Sequence, residues 1–372
     1  MLDPIVSFFT QIFQWIGRGI GFLIGVVLWP FMWVGRWYGQ RGLILKAVVG
    51  LAVFVLIGLY ANFFYATQWW NNFDPNYPER YSFEKRNVSA GEQIPAADGA
   101  NAAKSCGNSA IAQMAADLTD FNVNQNAWVS SMILYKLGLF GINWDDTPWM
   151  DNKANFQRGI NQAVRRTATE LADNLGRVRS TSQIDSDLQA ARGRLQYDES
   201  TWYISSNGMT ATTPSMYRLA IGNLRSFNAR LAACQTTFDA RADNLKQYID
   251  RIASDIGSTS AILKERAENH NAGWFDFRAD DRFWFAYGQL YAYYGLMKAS
   301  EADFEDVIKE KHLQNLWDTM DQQFVSALRI QPFIIANGRE DGWLLPTHLT
   351  TMGFYILRVR SNMVEISNVL TQ

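Results

Sequence analysis

Hydrophobic positions take over the chain completely in one stretch. Between Lys46 and Asp74 no charged residue occurs, and Ala47 to Ala66 is a run of twenty residues interrupted only by Asn62. At about 1.5 Å of rise per residue, such a run spans a hydrocarbon core of roughly 30 Å, which predicts a transmembrane helix over 46–66. Eleven of the twenty are Val, Leu, Ile or Phe, and no polar stripe recurs at helical spacing, which sets the run apart from a half-exposed core helix.

Upstream, Ser7, Thr10, Gln11, Gln14 and Arg18 recur at helical spacing opposite Ile5, Phe8, Phe9, Ile12, Phe13 and Ile16. That is the pattern of a helix lying in a membrane surface. Gly19 to Gly35 then carries no charge but holds Trp29, Pro30 and Trp33, and reads as a second embedded helix or a kinked interfacial one. Gly17, Gly21 and Gly25 repeat every four residues, and Gly50 and Gly58 share a face of the main span. Small residues so placed let membrane helices approach, so self-association is expected there.

Downstream the period becomes helical almost throughout. A helix is expected from Asn155 to Val178, with Phe156, Ile160, Ala163, Thr167, Leu171 and Leu175 on its stripe. Another begins at "TTPSMYR", with Thr213 as cap and Pro214 in the first turn. Four-three spacing from Tyr217 to Ile256, with Asn228 and Gln235 in the seam, predicts one long coiled-coil-like helix that stops at Gly257. Ser300 with Asp303 reads as a capping box for a helix to Leu328. The last helix is expected from Pro346 to Val369, and only 197–206 suggests extended structure.

The expected fold class is mainly α: N-terminal membrane helix or helices, then a large all-α bundle with long helices. Its segments are 1–45, membrane-associated; 46–66, the span; 67–104, an aromatic collar (Trp69, Trp70, Phe73, Tyr77) and a small-residue linker over 87–104; and 105–372, the helical domain.

Charge adds orientation. Arg36, Arg41 and Lys46 crowd the N-terminal flank of the span, whereas the fifteen residues after Ala66 hold only Arg80 as a cation. The basic flank stays cytoplasmic, so the domain is expected in the periplasm of a bacterial inner-membrane protein. Removing Arg18, Arg36, Arg41, Lys46 and Asp3 from the chain totals leaves 30 cations against 35 anions beyond the span, which argues against nucleic acid as a partner. Cys106 and Cys234 both fall beyond the span, and an even count in an oxidising compartment predicts a disulfide.

Complete catalytic motifs are missing. His270, His312 and His348 lie in three different elements, and no zinc spacing, Cys pair at two-residue spacing or phosphate-cradling glycine loop occurs. His312 reads as a hydrogen-bonded core histidine. Two polar clusters stand out. "NWDDTPWMDN" gathers Asp145, Asp146 and Asp151 with Trp144 and Trp149, a set able to grip a sugar or lipid headgroup or to hold calcium, although its spacing matches no calcium loop and a plain inter-helix loop explains it too. In the second cluster, "NHNAGWFDFRADDRFWFAYGQLYAYYGLM", His270, Asp276, Asp280 and Asp281 are candidate acids and bases if one is buried. Against this, Asp281 suits a helix N-cap, Arg278 or Arg282 suits a partner for these acids, and Tyr287, Tyr291 and Tyr294 suit a core seam.

The stretches "MDNKANFQRGI", "GRVRSTSQIDSDLQAARGRLQYD", "GWFDFRADDRFWFAYGQLYAYYGLM" and "NGREDGWLLPTHLTTMGFYILRVRSNMVEI" resemble an uncharacterised bacterial family, domain of unknown function 2333. The resemblance implies a largely helical inner-membrane protein and carries over no catalytic residue. The expected function is non-enzymatic: a self-associating scaffold or a subunit of an envelope complex, needing no cofactor or metal, with the bilayer and a second copy or envelope protein as partners. A lipid- or peptidoglycan-binding module is the alternative. A hydrolase or transglycosylase using Asp276, Asp280 or Asp281 comes third.

Overall fold

The computed structural model describes residues 3–83, 88–94, 105–139, 141–178, 183–205 and 208–372. Most of the 87–104 linker lies outside them. Among the described residues the fold is all-α, with twelve helices and one minimal hairpin pairing Ile204–Ser205 with Gly208–Met209, inside the stretch expected to be extended or just beyond it. The chain forms two compact units, Met1–Asn62 and Phe63–Gln372.

In the first unit, α1 (Asp3–Gly39) is one continuous helix with Pro30 inside it. The change of pattern at Arg18 thus falls inside one unbroken helix. The glycines and Arg18 change the face pattern without breaking the backbone ladder. After a short turn, α2 (Leu43–Gln68) begins. The turn is tied by the Tyr38 hydroxyl, which donates to the Lys46 carbonyl at 2.8 Å, and Arg41 covers the Trp37 ring at 4.7 Å. Phe13–Gly39 and Leu43–Gln68 are each long and apolar enough to cross a membrane.

The second unit starts with the last turn of α2. It continues through α3 (Ala110–Asp120), α4 (Ile133–Leu137), α5 (Asn152–Glu170), α6 (Ser186–Leu195), α7 (Thr213–Ala232), α8 (Ala242–Asn269), α9 (Ala279–Asp303), α10 (Glu305–Glu310), α11 (Gln314–Leu328) and α12 (His348–Leu370). Helix α9 is the central staff. Its residues from Ala286 to Met297 are buried on every face, and it packs against α3, α5, α8, α11 and α12. The tyrosine stripe is thus only one side of a fully enclosed helix.

The closest approach in the core joins α5 to α9. A Cβ on Gly159 would overlap the Phe285 carbonyl oxygen, and one on Gly288 would overlap the Phe156 carbonyl oxygen, so only glycine lets the two backbones touch. The helices run parallel: Asn155 meets Asp281 near their starts, while further along Arg166 and Tyr293 both bind Asp255 of α8. The collar aromatics Trp70, Phe73 and Tyr77 fold onto this pair, and Tyr77 donates to the Tyr291 carbonyl at 2.9 Å. Of that set Trp69 alone stays exposed.

Four expectations about helix ends are corrected. The heptad run breaks into α7 and α8, because Cys234 adopts φ +56° and is bonded to Cys106, turning the chain between Ala232 and Ala242. Asn228 binds the backbone of Ser109 on both sides instead of setting a coiled-coil register. Gly257 sits inside α8, and the cap of α7 is Thr212, which accepts from the Ser215 amide. Ser300 and Asp303 end α9 rather than opening a new helix. The Asp303 carboxylate instead receives the Ser109 hydroxyl and the Ala110 and Ile111 amides at the start of α3.

Two outcomes are expected. Replacing Gly288 with Ala should cost about 3 kcal/mol or more by overpacking, whereas Gly193→Ala, in an exposed helix position whose Cβ meets nothing within 4 Å, should be neutral or slightly stabilising. Equilibrium denaturation of both variants checks this. Opening the Cys106–Cys234 bond, which closes a loop of 128 residues, should cost on the order of 5 kcal/mol by chain entropy, read as a lower denaturant midpoint for Cys234→Ser.

Candidate functional site

A helix leaves its last carbonyls without intrahelical partners, and each needs another donor. At the end of α2 the Ala66, Thr67 and Trp69 carbonyls each have one. The Thr67 hydroxyl donates to the Phe64 carbonyl at 3.0 Å, the Trp69 amide to Tyr65 at 2.9 Å, and the Trp70 indole to Thr67 at 3.1 Å. Lys153, buried in the first turn of α5, donates to Ala66 at 2.8 Å and to Trp69 at 2.9 Å. Burial pulls its ammonium down to about 8. Around this cap Trp144 lies over Phe63, with ring centroids 5.1 Å apart, and donates to the Leu134 carbonyl, while Gln68 donates to the Trp149 carbonyl at 3.1 Å.

The loop that supplies these contacts also carries the first acidic cluster, and the parallel packing of α5 and α9 brings it to the second. Carboxylate oxygens of Asp145, Asp151 and Asp281 lie within 4.8 Å of one another. Asp145 accepts the Tyr135 hydroxyl at 2.8 Å, and Asp281 accepts the Asn155 amide at 2.6 Å. Asp151 is fully buried with one oxygen unpartnered. Asp280, in the first turn of α9, is buried with both oxygens unpartnered. Burial first, then the neighbouring Asp281, pushes both carboxyls well above the usual carboxylate range. At an effective dielectric near ~20, each fully ionised pair at this spacing repels by about 3 kcal/mol.

The remaining candidates are placed as follows. Asp146 pairs with Arg278 at 3.0 Å, joining the 143–151 loop to the turn before α9. Trp144 is inside and Trp149 is half-exposed, so the two do not face a common ligand. Asp276 is committed to Arg266 and to the Asn337 amide, outside the cluster. Arg282 forms no ion pair with these acids, and Asp281 lies inside the first turn of α9 instead of capping it. His270 is exposed, and so is His312, at φ +53°, which corrects its expected place in the core. His348 is half-buried, with Nδ1 accepting the Ala336 amide at 2.9 Å.

Two features had no sequence signal. Lys153 looks like any helix-surface lysine, and its role depends on where α2 ends. The second is a pair of loops, 270–278 and 330–347, joined at Gly273 and Asn337, which present Trp274, Phe275, Phe333, Trp343 and Leu344 to solvent, Phe333 at 97% and Trp343 at 89% exposure.

The family described as "Uncharacterized protein conserved in bacteria (DUF2333)" matches residues 100–273 and 262–372. No curated protein and no solved structure matches the chain.

Burial lowers the His348 pKa. The folded state therefore binds fewer protons there than the unfolded state, and this contribution to stability is lost as pH falls below about 6.5 and through the folded value. Differential unfolding should show His348→Gln losing less stability than wild type between about pH 7 and 5, with the difference reported by protection of the 330–347 loop.

Proposed function

This chain belongs to the bacterial DUF2333 family, and we propose that it is a non-enzymatic inner-membrane protein whose helical domain stands in the periplasm and acts as a self-associating scaffold or as a subunit of an envelope complex. The observation that carries this reading is the end of α2. Phe63–Gln68 belong to the compact fold, and their free carbonyls are satisfied by Lys153 and Trp70 of that fold. Two helices apolar enough to cross a membrane precede that fold, which supports a membrane-anchored part. The cation excess at Arg36, Arg41 and Lys46 supports the orientation.

Self-association rests on Gly17, Gly21 and Gly25, where an added Cβ meets nothing within 4 Å, so that face is open to another helix. Gly58 is equally open, while Gly50 already faces the Tyr38 hydroxyl. A second reading, a lipid-binding module, is favoured by the exposed aromatics of the 270–278 and 330–347 loops, whose amphipathic rings suit a headgroup layer.

Native mass spectrometry of the chain extracted with its lipids, without reductant, tests both. A discrete multiple of 42.4 kDa, or a complex with a second protein, is expected, and the multiple should collapse to monomer in Gly21→Leu with Gly25→Leu. A monomer carrying lipid adducts would replace the scaffold with the lipid-binding reading. A bare monomer would overturn both.

A further inference from the structure

We propose that Asp145, Asp151 and Asp281 form a binding site for one divalent cation of calcium size. All three donors are carboxylates, the hard oxygen set that selects calcium, magnesium or manganese over softer metals. Three oxygens no more than 4.8 Å apart lie within about 2.8 Å of a common point, so calcium's ligand distances of about 2.3–2.6 Å need at most a slight closing of the set, whereas the roughly 2.0–2.1 Å required by magnesium needs a much larger one.

Asp151 of this set is fully buried, and one of its oxygens receives no hydrogen bond from any N–H or O–H donor of the fold. Charge balance leads to the same place. The N-termini of α5 and α9 lie side by side and contribute about half a positive charge each, against three carboxylates and the neighbouring Asp280. Among the described residues no lysine or arginine forms an ion pair with any of these four. Arg282 and Arg158 both act on Asp281 through space without forming an ion pair, and Arg158 is turned toward Asn155 and the Tyr135 ring.

Asp145 and Asp281 are only partly buried, which leaves the set reachable from solvent, while the Tyr135 and Asn155 donors hold those two carboxylates in place. A bound ion would clamp the 143–151 loop, with Trp144 over Phe63, to the start of α9. The site stands independently of the scaffold reading, since it needs only the folded domain.

The test uses the full chain in detergent micelles, stripped with a chelator and titrated with calcium chloride. The expected result is one equivalent of heat per chain and a rise in Tm of roughly 3–5 °C at a hundredfold excess over Kd. Terbium should give emission sensitised by the Trp144 indole, and Asp145→Asn and Asp281→Asn should each weaken binding at least tenfold. Neither variant should lower the metal-free Tm, because each removes a repelling charge. Absence of heat, Tm shift and terbium emission would overturn the proposal and leave a cluster that holds protons alone. Binding that survives both substitutions, or a preference for magnesium, would overturn it as well.

Discussion

The contact on which the second unit depends is the backbone crossing of α5 and α9 at Gly159 and Gly288. Because each glycine abuts a carbonyl of the other helix, neither can acquire a side chain without moving a backbone. Close approach of two helices maximises dispersion contacts along their length and leaves no void for water. It also lets α9 sit at the centre with other helices around it, so that Tyr287 and Tyr291 are buried on one face and Tyr293 on another. Some polar groups in this core are matched: Gln289 accepts the Thr259 hydroxyl, although its side-chain nitrogen has no partner, and Asp255 accepts from both Arg166 and Tyr293.

The direction of the crossing matters as much as its closeness. Parallel helices place two N-termini together, and the chain loads both with carboxylates, Asp151 on α5 and Asp280 and Asp281 on α9. The favourable dipole there offsets part of the cost of gathering acids in a buried place. Two residues after Asp151, Lys153 points the opposite way and caps the end of α2. The same turn of helix thus serves both the Phe63–Gln68 segment and the acidic cluster, and Trp144 packs on Phe63 beside them.

Period and composition alone made much of this legible. The apolar run through 46–66 lies inside α2, the last helix begins and ends within two residues of its expected limits, and Cys106 pairs with Cys234. The strict heptad run through 217–256 misled, because both α7 and α8 keep their apolar faces toward the same core while a disulfide and a left-handed Cys234 turn the chain between them. Side-chain period records which face is buried and is blind to a turn that preserves the phase. Asp303 misled for a related reason: its sequence neighbours resemble a local cap, but the amides it satisfies belong to α3, some 190 residues earlier.

What the sequence by itself determined is the class of the protein: two apolar helices, a helical domain after them, a disulfide, and two acidic aromatic stretches. Those follow from local chemistry, since hydropathy, period and cysteine count need no knowledge of partners distant in the chain. The tertiary structure decided that the two acidic stretches are one cluster, that Trp144 is packing while the 330–347 aromatics are surface, and that Lys153 closes the helix end. Each of these depends on which segments the glycine crossing brings within hydrogen-bond distance, a relation between residues more than a hundred positions apart that no local pattern encodes.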